Sequence, residues 1–529
     1  MPSVASPQWR DTASPALAEL AASRGRISSR AELVRLQARV LAADAGLPSP
    51  DFVFPYRAGD LDGDGANDAL AFEWRGDSPR LVALRGTDGA TLWAKAGAPF
   101  ATAVDLDDDG EAEVLAVSYE WTPVADGPRA LVQRVSLLDG SDGAARWTTT
   151  LGGADLRSWS DLGGVGSDVQ FVASLRVMPD ATGDGRPDVW VGTMNGAFID
   201  SSTLVTDSDL FVGRTLEGST GLEVGRVAAA GVDALPWAVP AGDVSGDGLA
   251  DVFTMSGRSW DTGALAAVSV AGTPWWARRI PSGQVYSSVG DLTGDGSPDI
   301  ALQTFHDGGP SRIAYDGRTG AELWSRPDVG YIDLAGDIDG DGGTDLIQVN
   351  TPEGGSVLTA WSGATGETIW GPVHYVASEG AWVMFCVCVH DVTGDGIWDP
   401  LVADVVFTEE GADVLVRMLN GRGGLPLWTH QLAPGDGLPV PIGADADGDG
   451  TEDAGLTTAD GISIRRGTDF TPLWEAPREP GKMVLGFYGD DLTGDGSAEI
   501  VAARLELVEE WFQGSAAAYR PGTLIWSAP

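Results

Sequence analysis

Lysine is nearly missing from this chain of 529 residues, occurring only at Lys95 and Lys482. With 33 basic residues against 77 acidic ones the formal charge is −44, although only 21% of residues are charged. A polyanionic partner would be repelled over the whole surface, which excludes nucleic acid as a ligand. Cysteine is equally scarce: Cys386 and Cys388 stand two apart in the apolar run Trp382 to Val389. A regular strand would point both to one face, and a bridge at i, i+2 has poor geometry. They are therefore expected to be buried free thiols packing as small hydrophobes, and they do not report the redox compartment.

Histidine occurs four times, at His306, His374, His390 and His430, scattered over separate segments. No H-E-x-x-H, G-x-S-x-G or C-x-x-C-H pattern exists, so no base, nucleophile elbow or haem attachment site can be nominated. No apolar run reaches the roughly 18 to 20 residues that span a bilayer as a helix. Residues 1–7 have neither a basic n-region nor an apolar h-region, so the chain is expected to be cytosolic or a mature form whose export signal has been removed.

What the chain does have is glycine (73), proline (31) and 43% hydrophobic residues. That is too apolar for disorder and too rich in turn formers for a mainly helical protein. The segment Asp60-Leu-Asp62-Gly-Asp64-Gly65-Ala-Asn-Asp68 recurs eight more times, starting at Asp105, Asp180, Asp243, Asp291, Asp337, Asp391, Asp445 and Asp491. The starts lie 45 to 75 residues apart, the size of a four-stranded propeller blade. Some 30 to 40 residues after each loop a glycine turn leads into a strand ending in tryptophan, as in Tyr315-Asp-Gly-Arg-Thr-Gly-Ala-Glu-Leu-Trp324. Trp93, Trp147, Trp276, Trp324, Trp370, Trp428, Trp474 and Trp526 occupy this position, and the third module has Val224 where the indole is expected. A tryptophan at a repeated strand end is expected to pack between neighbouring sheets.

The expected fold is all-β: one large propeller of four-stranded antiparallel blades over residues 51–529, with eight or nine blades from the nine modules. Residues 148–170 read as a loop insertion. Residues 1–50 do not fit the repeat. Ser29-Arg-Ala-Glu32 is a capping box, and Leu33, Leu36, Val40 and Leu41 continue at helical spacing. The expectation is a helical N-terminal segment, either docked on the propeller or engaging a partner.

The chemistry lies in the Asp loops, numbered here from position 1 to position 9. Position 1 is always Asp (Asp60, Asp105, Asp180, Asp243, Asp291, Asp337, Asp391, Asp445, Asp491), and so is position 5 (Asp64, Asp109, Asp184, Asp247, Asp295, Asp341, Asp395, Asp449, Asp495). Position 3 is Asp62, Asp107, Thr182, Ser245, Thr293, Asp339, Thr393, Asp447 or Thr493, and position 9 is Asp68, Glu113, Asp188, Asp251, Asp299, Asp345, Asp399, Asp453 or Glu499. Every one of these side chains ends in oxygen, as a hard cation requires. Position 6 is always Gly, suited to a sharp turn, while position 7 varies freely, as a backbone carbonyl ligand would permit. Carboxylates this close repel one another unless a cation lies among them. The pattern selects Ca²⁺, up to nine ions, over Mg²⁺, which demands a strict octahedron and keeps several waters. These positions account for 31 of the 77 carboxylates, and nine divalent ions would bring the formal charge to −26.

With flanks such as Gly242-Asp-Val-Ser-Gly-Asp-Gly-Leu-Ala-Asp251, the loops resemble the FG-GAP/VCBS repeat family, which includes the propeller of integrin α chains. That resemblance implies structural Ca²⁺ at the positions above and partners on a loop-rich face. The tryptophan strands are similar to repeats of quinoprotein dehydrogenase propellers. That family brackets its cofactor with adjacent cysteines, whereas Val387 separates Cys386 from Cys388 here, so the likeness extends to blade architecture only. Similar propellers also occur in polysaccharide lyases. The function expected is a calcium-stabilised, extracellular or cell-surface scaffold for adhesion or for binding protein or glycan partners, without catalysis. A carbohydrate-active enzyme on the same propeller, or a subunit assembling through the N-terminal helix, are the alternatives. Arg75-Gly76-Asp77-Ser78 matches the adhesive tetrapeptide recognised by integrins and is expected at a hairpin between two strands, as a chance occurrence.

Overall fold

The computed structural model describes residues 52–528, apart from segments that lie mostly between strands, the longest of them 152–167. The N-terminal segment and most of the insertion at 148–170 fall outside the described residues. The architecture is a nine-bladed β-propeller, which resolves the choice between eight and nine. In the first blade β1 (Phe52–Gly59), β2 (Asp68–Arg75), β3 (Ser78–Leu84) and β4 (Thr91–Ala96) pair antiparallel in sequence order. The same order recurs over residues 100–150, 168–232, 237–281, 286–327, 331–376, 381–431, 440–477 and 482–528. Two refinements appear: the third blade adds the short strand Leu204–Val205, and it joins the fourth through a two-residue parallel bridge, Gly231 to Gly257 and Val232 to Arg258.

Strand composition follows from position in the blade. The second strand lies between neighbouring sheets on both faces and is buried without alternation, as at Ala69, Leu70, Ala71 and Phe72. The fourth strand is outermost and polar, and in Thr91–Ala96 only Trp93 is buried. Nine apolar clusters hold the ring, one between each pair of successive blades. The last closes the circle by packing Val53, Ala71 and Val82 of the first blade on Leu492, Val501 and Ala518 of the ninth. Arg57 ties the same seam by donating to the carbonyl of Gly489 in the ninth blade at 2.9 Å, and reaches past it to the carbonyl of Ile442 in the eighth at 2.8 Å.

The repeated tryptophans are latches between blades. Nε1 of Trp93, Trp147, Trp276, Trp324, Trp370 and Trp428 donates to the carbonyl of Gly140, Gly218, Gly317, Gly363, Gly421 and Gly467 in the next blade, at 2.6 to 2.8 Å. Three residues further on, the chain takes positive φ at Gly143, Gly221, Gly320, Gly366 and Gly424, and the indole lies flat against it, so that a Cβ there would come within 2.4 to 2.7 Å of the ring. The eighth blade has Phe470 in this conformation instead, with its ring stacked on Trp428 at 4.3 Å.

The structure corrects one position. The residue at the tryptophan register in the third blade is Gly225, not Val224, because Gly225 pairs with Thr215 as Trp93 pairs with Ala83. The space that the indole would fill is taken by Val270 of the fourth blade, whose backbone oxygen lies 2.4 Å from where a Cβ on Gly225 would be. The expectation for Cys386 and Cys388 also changes. The strand Ala381–His390 shifts register between Met384 and Cys386 and again between Cys386 and Cys388, so the regular alternation that would place both on one face is interrupted. Their side chains lie outside the described residues.

Candidate metal loops

Each Asp loop joins the first and second strands of a blade, and each glycine turn joins the third and fourth. In an up-and-down sheet these two connections share an edge. All nine loops and the glycine turns therefore lie on one face of the ring, and the second-to-third hairpins and the links between blades lie on the other. The Arg75 to Ser78 hairpin belongs to that opposite face, with Arg75 paired to Ser78 as expected; Gly76 and Asp77 are outside the described residues.

Within a loop the chain folds around the position 1 carboxylate. In the first, Asp60 Oδ1 accepts from the amides of Gly63 and Asp64 at 2.7 and 3.2 Å, and Oδ2 accepts from Gly65 at 2.8 Å. The arrangement recurs at Asp105, Asp243 and Asp445. Positions 4 and 6 carry positive φ, as at Gly63 (74°) and Gly65 (87°), which explains the glycines there. The position 5 carboxylate caps the turn by accepting the position 7 amide, as Asp64 does from Ala66 at 2.9 Å. The second oxygen of position 5 is held by an arginine in two loops, Asp395 Oδ2 by Arg422 at 3.3 Å and Asp449 Oδ2 by Arg466 at 3.4 Å.

Position 9 is the buried brace. Asp68, Asp188, Asp345, Asp399 and Glu113 are fully buried. Asp68 accepts from Leu61 in its own loop at 2.9 Å and from Gly86 in the glycine turn at 2.8 Å, which ties the two structures on the metal face together. Asp299, Asp345 and Asp453 do the same. Burial, partly offset by these amide donors, pushes the carboxyls of Asp68, Asp345, Asp399 and Asp453 up to about 6. It also raises those of Glu113, Asp188, Asp299 and Glu499. Such groups need a positive partner to be ionised comfortably.

Among the described residues, four loops gather carboxylates closely enough to hold an ion: Asp60, Asp62 and Asp68; Asp105, Asp107 and Glu113; Asp337, Asp339 and Asp345; and Asp445, Asp447 and Asp453, each set within 4.8 Å. Position 5 is not part of these sets. They are the four loops with Asp at position 3. Elsewhere a hydroxyl takes that place and leans on the carboxylates, as Thr293 does on Asp299 at 3.1 Å and Thr493 on Glu499 at 3.2 Å. The donors suit a hard cation. Asp62 Oδ1, Asp107 Oδ1 and Ser245 Oγ are buried within their loops with no hydrogen-bond partner, an unfavourable state that a cation would relieve.

Sequence reasoning missed the arginines at these loops. Arg85 and Arg466 hold Oδ2 of Asp62 and Asp447 at 2.9 and 2.5 Å. Arg146 reaches Asp107 at 2.9 Å and also contacts Glu113. In the first two loops the guanidinium grips one oxygen of the position 3 carboxylate and leaves the other unpartnered. A signal did exist: Arg85 and Arg466 both open the tetrapeptide Arg-Gly-Thr-Asp, in two modules whose loops carry Asp at position 3.

Of the four histidines only His430 has a described side chain. His430 packs against Phe470, with ring centroids 4.9 Å apart, and burial lowers its pKa. His390 pairs with Asp399 in the backbone ladder, and the side chains of His306, His374 and His390 lie outside the described residues.

Fold and loops together define a nine-bladed propeller with one face rimmed by oxygen-rich loops. No protein-family model matches the chain, and no curated protein does. Among solved structures it is similar to the rhamnogalacturonan lyase YesW, at 16% identity over 90% of this chain and 86% of that one, with a TM-score of 0.39. It is also similar to the V. cholerae biofilm matrix protein Bap1 (15% identity, 86% and 84% covered, TM-score 0.26). A third is the quinohemoprotein alcohol dehydrogenase from Comamonas testosteroni (13% identity, 87% and 73% covered, TM-score 0.34). Likeness at this level carries no statement about activity.

Proposed function

We propose that the chain is a Ca²⁺-stabilised propeller of the FG-GAP/VCBS kind, working outside the cell or on its surface as a non-catalytic scaffold for protein or glycan partners. The observation that carries the reading is the set of buried, unpartnered oxygens at position 3, next to the carboxylates of positions 1 and 9. In this reading positions 1, 3, 5 and 9 of all nine loops supply side-chain oxygens and position 7 supplies a carbonyl. Bound Ca²⁺ contributes charge neutralisation and cross-linking of the loop, not chemistry on a substrate. Loops of this kind bind at about 10⁻⁴ to 10⁻³ M in extracellular modules, which favours a calcium-rich compartment. The metal loops brace the ring from one face, leaving the opposite face, with the hairpins and inter-blade links, for partners. The N-terminal segment is assigned to self-assembly or docking.

Metal analysis of the purified protein, with melting measured in Ca²⁺ and in chelator, tests the stabilising role; no bound Ca²⁺ and an unchanged melting temperature would overturn it. A glycan and protein array probed in Ca²⁺ tests the scaffold role. Turnover of a polysaccharide instead of simple retention would replace the scaffold by an enzyme.

A further inference from the structure

The loops are not independent. The amide at position 8 donates to the position 1 carbonyl of the preceding blade at four junctions: Asn67 to Asp491 (2.9 Å), Ala112 to Asp60 (2.7 Å), Ala250 to Asp180 (2.8 Å) and Thr344 to Asp291 (2.7 Å). That amide belongs to the same peptide unit as the position 7 carbonyl. The chain of bonds continues on the acceptor side. The position 1 carbonyl shares a peptide with the position 2 amide, and that amide donates to the position 9 carboxylate: Leu492 to Glu499, Leu61 to Asp68, Ala181 to Asp188 and Leu292 to Asp299, at 2.8 to 3.0 Å. At two other junctions the donor does not exist, because position 8 is Pro187 in the third loop and Pro298 in the fifth. At the junction of the sixth and seventh blades Trp398 donates instead to Ala335, two residues before the loop.

We propose that these backbone bonds form a relay that couples cation binding between neighbouring loops in the groups 9·1·2, 3·4 and 5·6, with Pro187 separating the first group from the second and Pro298 the second from the third. The inference rests on the reading that the loops hold cations. With its carbonyl on a cation, the Glu111–Ala112 peptide is polarised and its N–H donates more strongly to Asp60. The Asp60–Leu61 peptide is polarised in turn, and Leu61 N–H holds the Asp68 carboxylate more firmly in its ligand position. Successive hydrogen bonds strengthen one another in this way, and the ordering of one loop lowers the cost of ordering the next. Packing runs alongside the relay: the position 4 glycine of one loop abuts position 6 or 7 of the next, as Gly494 does with Gly65 and Gly63 with Glu111.

The experiment is a Ca²⁺ titration of the full chain followed by hydrogen-exchange mass spectrometry, which reads each loop separately. The second loop is disabled by Asp105→Asn with Asp109→Asn, and, in another variant, the third by Asp180→Asn with Asp184→Asn. Disabling the second loop is expected to move the Ca²⁺ midpoint for protection of residues 60–67 upward by about five-fold, the low end of ordinary coupling between sites. Residues 180–187, beyond Pro187, should keep theirs. Disabling the third should move the fourth loop, residues 243–250, and leave the second in place. Equal movement on both sides of Pro187, or no movement on either, overturns the relay while leaving the metal reading intact. Absence of Ca²⁺-dependent protection in every loop of the unmodified protein would sink both.

Discussion

Replacing Gly363 by alanine should open the sixth blade, whereas the same change at Gly423, in the equivalent turn of the seventh, should be nearly silent. A Cβ on Gly363 would lie 2.0 Å from the backbone oxygen of Thr344 and 3.2 Å from that of Leu292, short of ordinary contact by roughly 1.5 Å at the nearest atom. Neither obstacle is a side chain that can swing away, so the turn must move. Two bonds stretch when it does: Gly363 N–H to Asp345 Oδ1 at 2.9 Å, and Trp324 Nε1–H to Gly363 O at 2.6 Å. A bond to a carboxylate contributes about 1.5 to 3 kcal/mol and a neutral one about 0.5 to 1.5. The expected loss is therefore about 2 to 4.5 kcal/mol. Gly423 has no atom within 4 Å of its virtual Cβ, and the expected change there stays within about 0.5 kcal/mol, since alanine also narrows the unfolded ensemble. Native-state hydrogen exchange of the strands Gly355–Trp361 and Thr368–Val376, in Ca²⁺, measures the opening free energy directly. Equal opening free energies for the two variants would refute the argument that these turns are fixed by close approach to the loops.

The tryptophan latch makes a paired prediction. Trp324→Phe loses the bond to Gly363 and should cost about 1 kcal/mol beyond the lost ring area, whereas Trp474→Phe loses no bond, because Trp474 Nε1 is buried without a partner; urea denaturation of the two variants compares them. The pH response of the chelated protein follows from the position 9 carboxyls, raised in the folded state to about 6 at Asp68, Asp345, Asp399 and Asp453. Between their ordinary pKa and that value the folded chain binds more protons than the unfolded one, so stability falls as pH rises through this window. Chelated protein should melt higher at pH 5 than at pH 7, and a lower melting point at pH 5 would contradict the burial of these groups.

The nine modules, the loops and the tryptophan strands were legible because each repeats a local pattern: oxygen side chains at fixed spacing, glycine where φ is positive, a strand that ends in tryptophan; whether the modules made eight blades or nine was not. What joins parts of one blade that are distant in sequence, or bends a strand locally, was not. The arginines at Asp62, Asp107 and Asp447 come from turns and strands 19 to 39 residues away, and beyond the Arg-Gly-Thr-Asp shared at Arg85 and Arg466 no local pattern connects them to the loop. The doubling of Cys386 and Cys388 looked like simple alternation because a bulge leaves no mark in composition.

The misplacement at Val224 shows why aligning modules with one another has a limit. The tryptophan of one blade and the glycine turn that receives it belong to successive modules, so the unit that must be complementary is half of one repeat and half of the next. Where the third blade has Gly225, the fourth blade's turn has lost its first glycine and one residue: Ser269 N–H closes on Thr273, while Arg85 N–H closes on Ala90. Val270 then fills the place of the indole. At the other irregular junction the order is reversed. Trp474 is present, but the ninth blade has the sequence Arg520-Pro-Gly-Thr523 between its last two strands in place of the Gly-x-x-Gly pair, and among the described residues the indole N–H has no acceptor. One defect is repaired by its neighbour and the other is not. Restoring a turn of the Gly-x-x-Gly form between the strands Trp511–Arg520 and Thr523–Ala528 should therefore stabilise the ring by about 1 kcal/mol, the value of the missing bond. The same graft in Trp474→Phe should gain nothing, and a gain of equal size there would show that the turn acts through its own backbone and not through the latch.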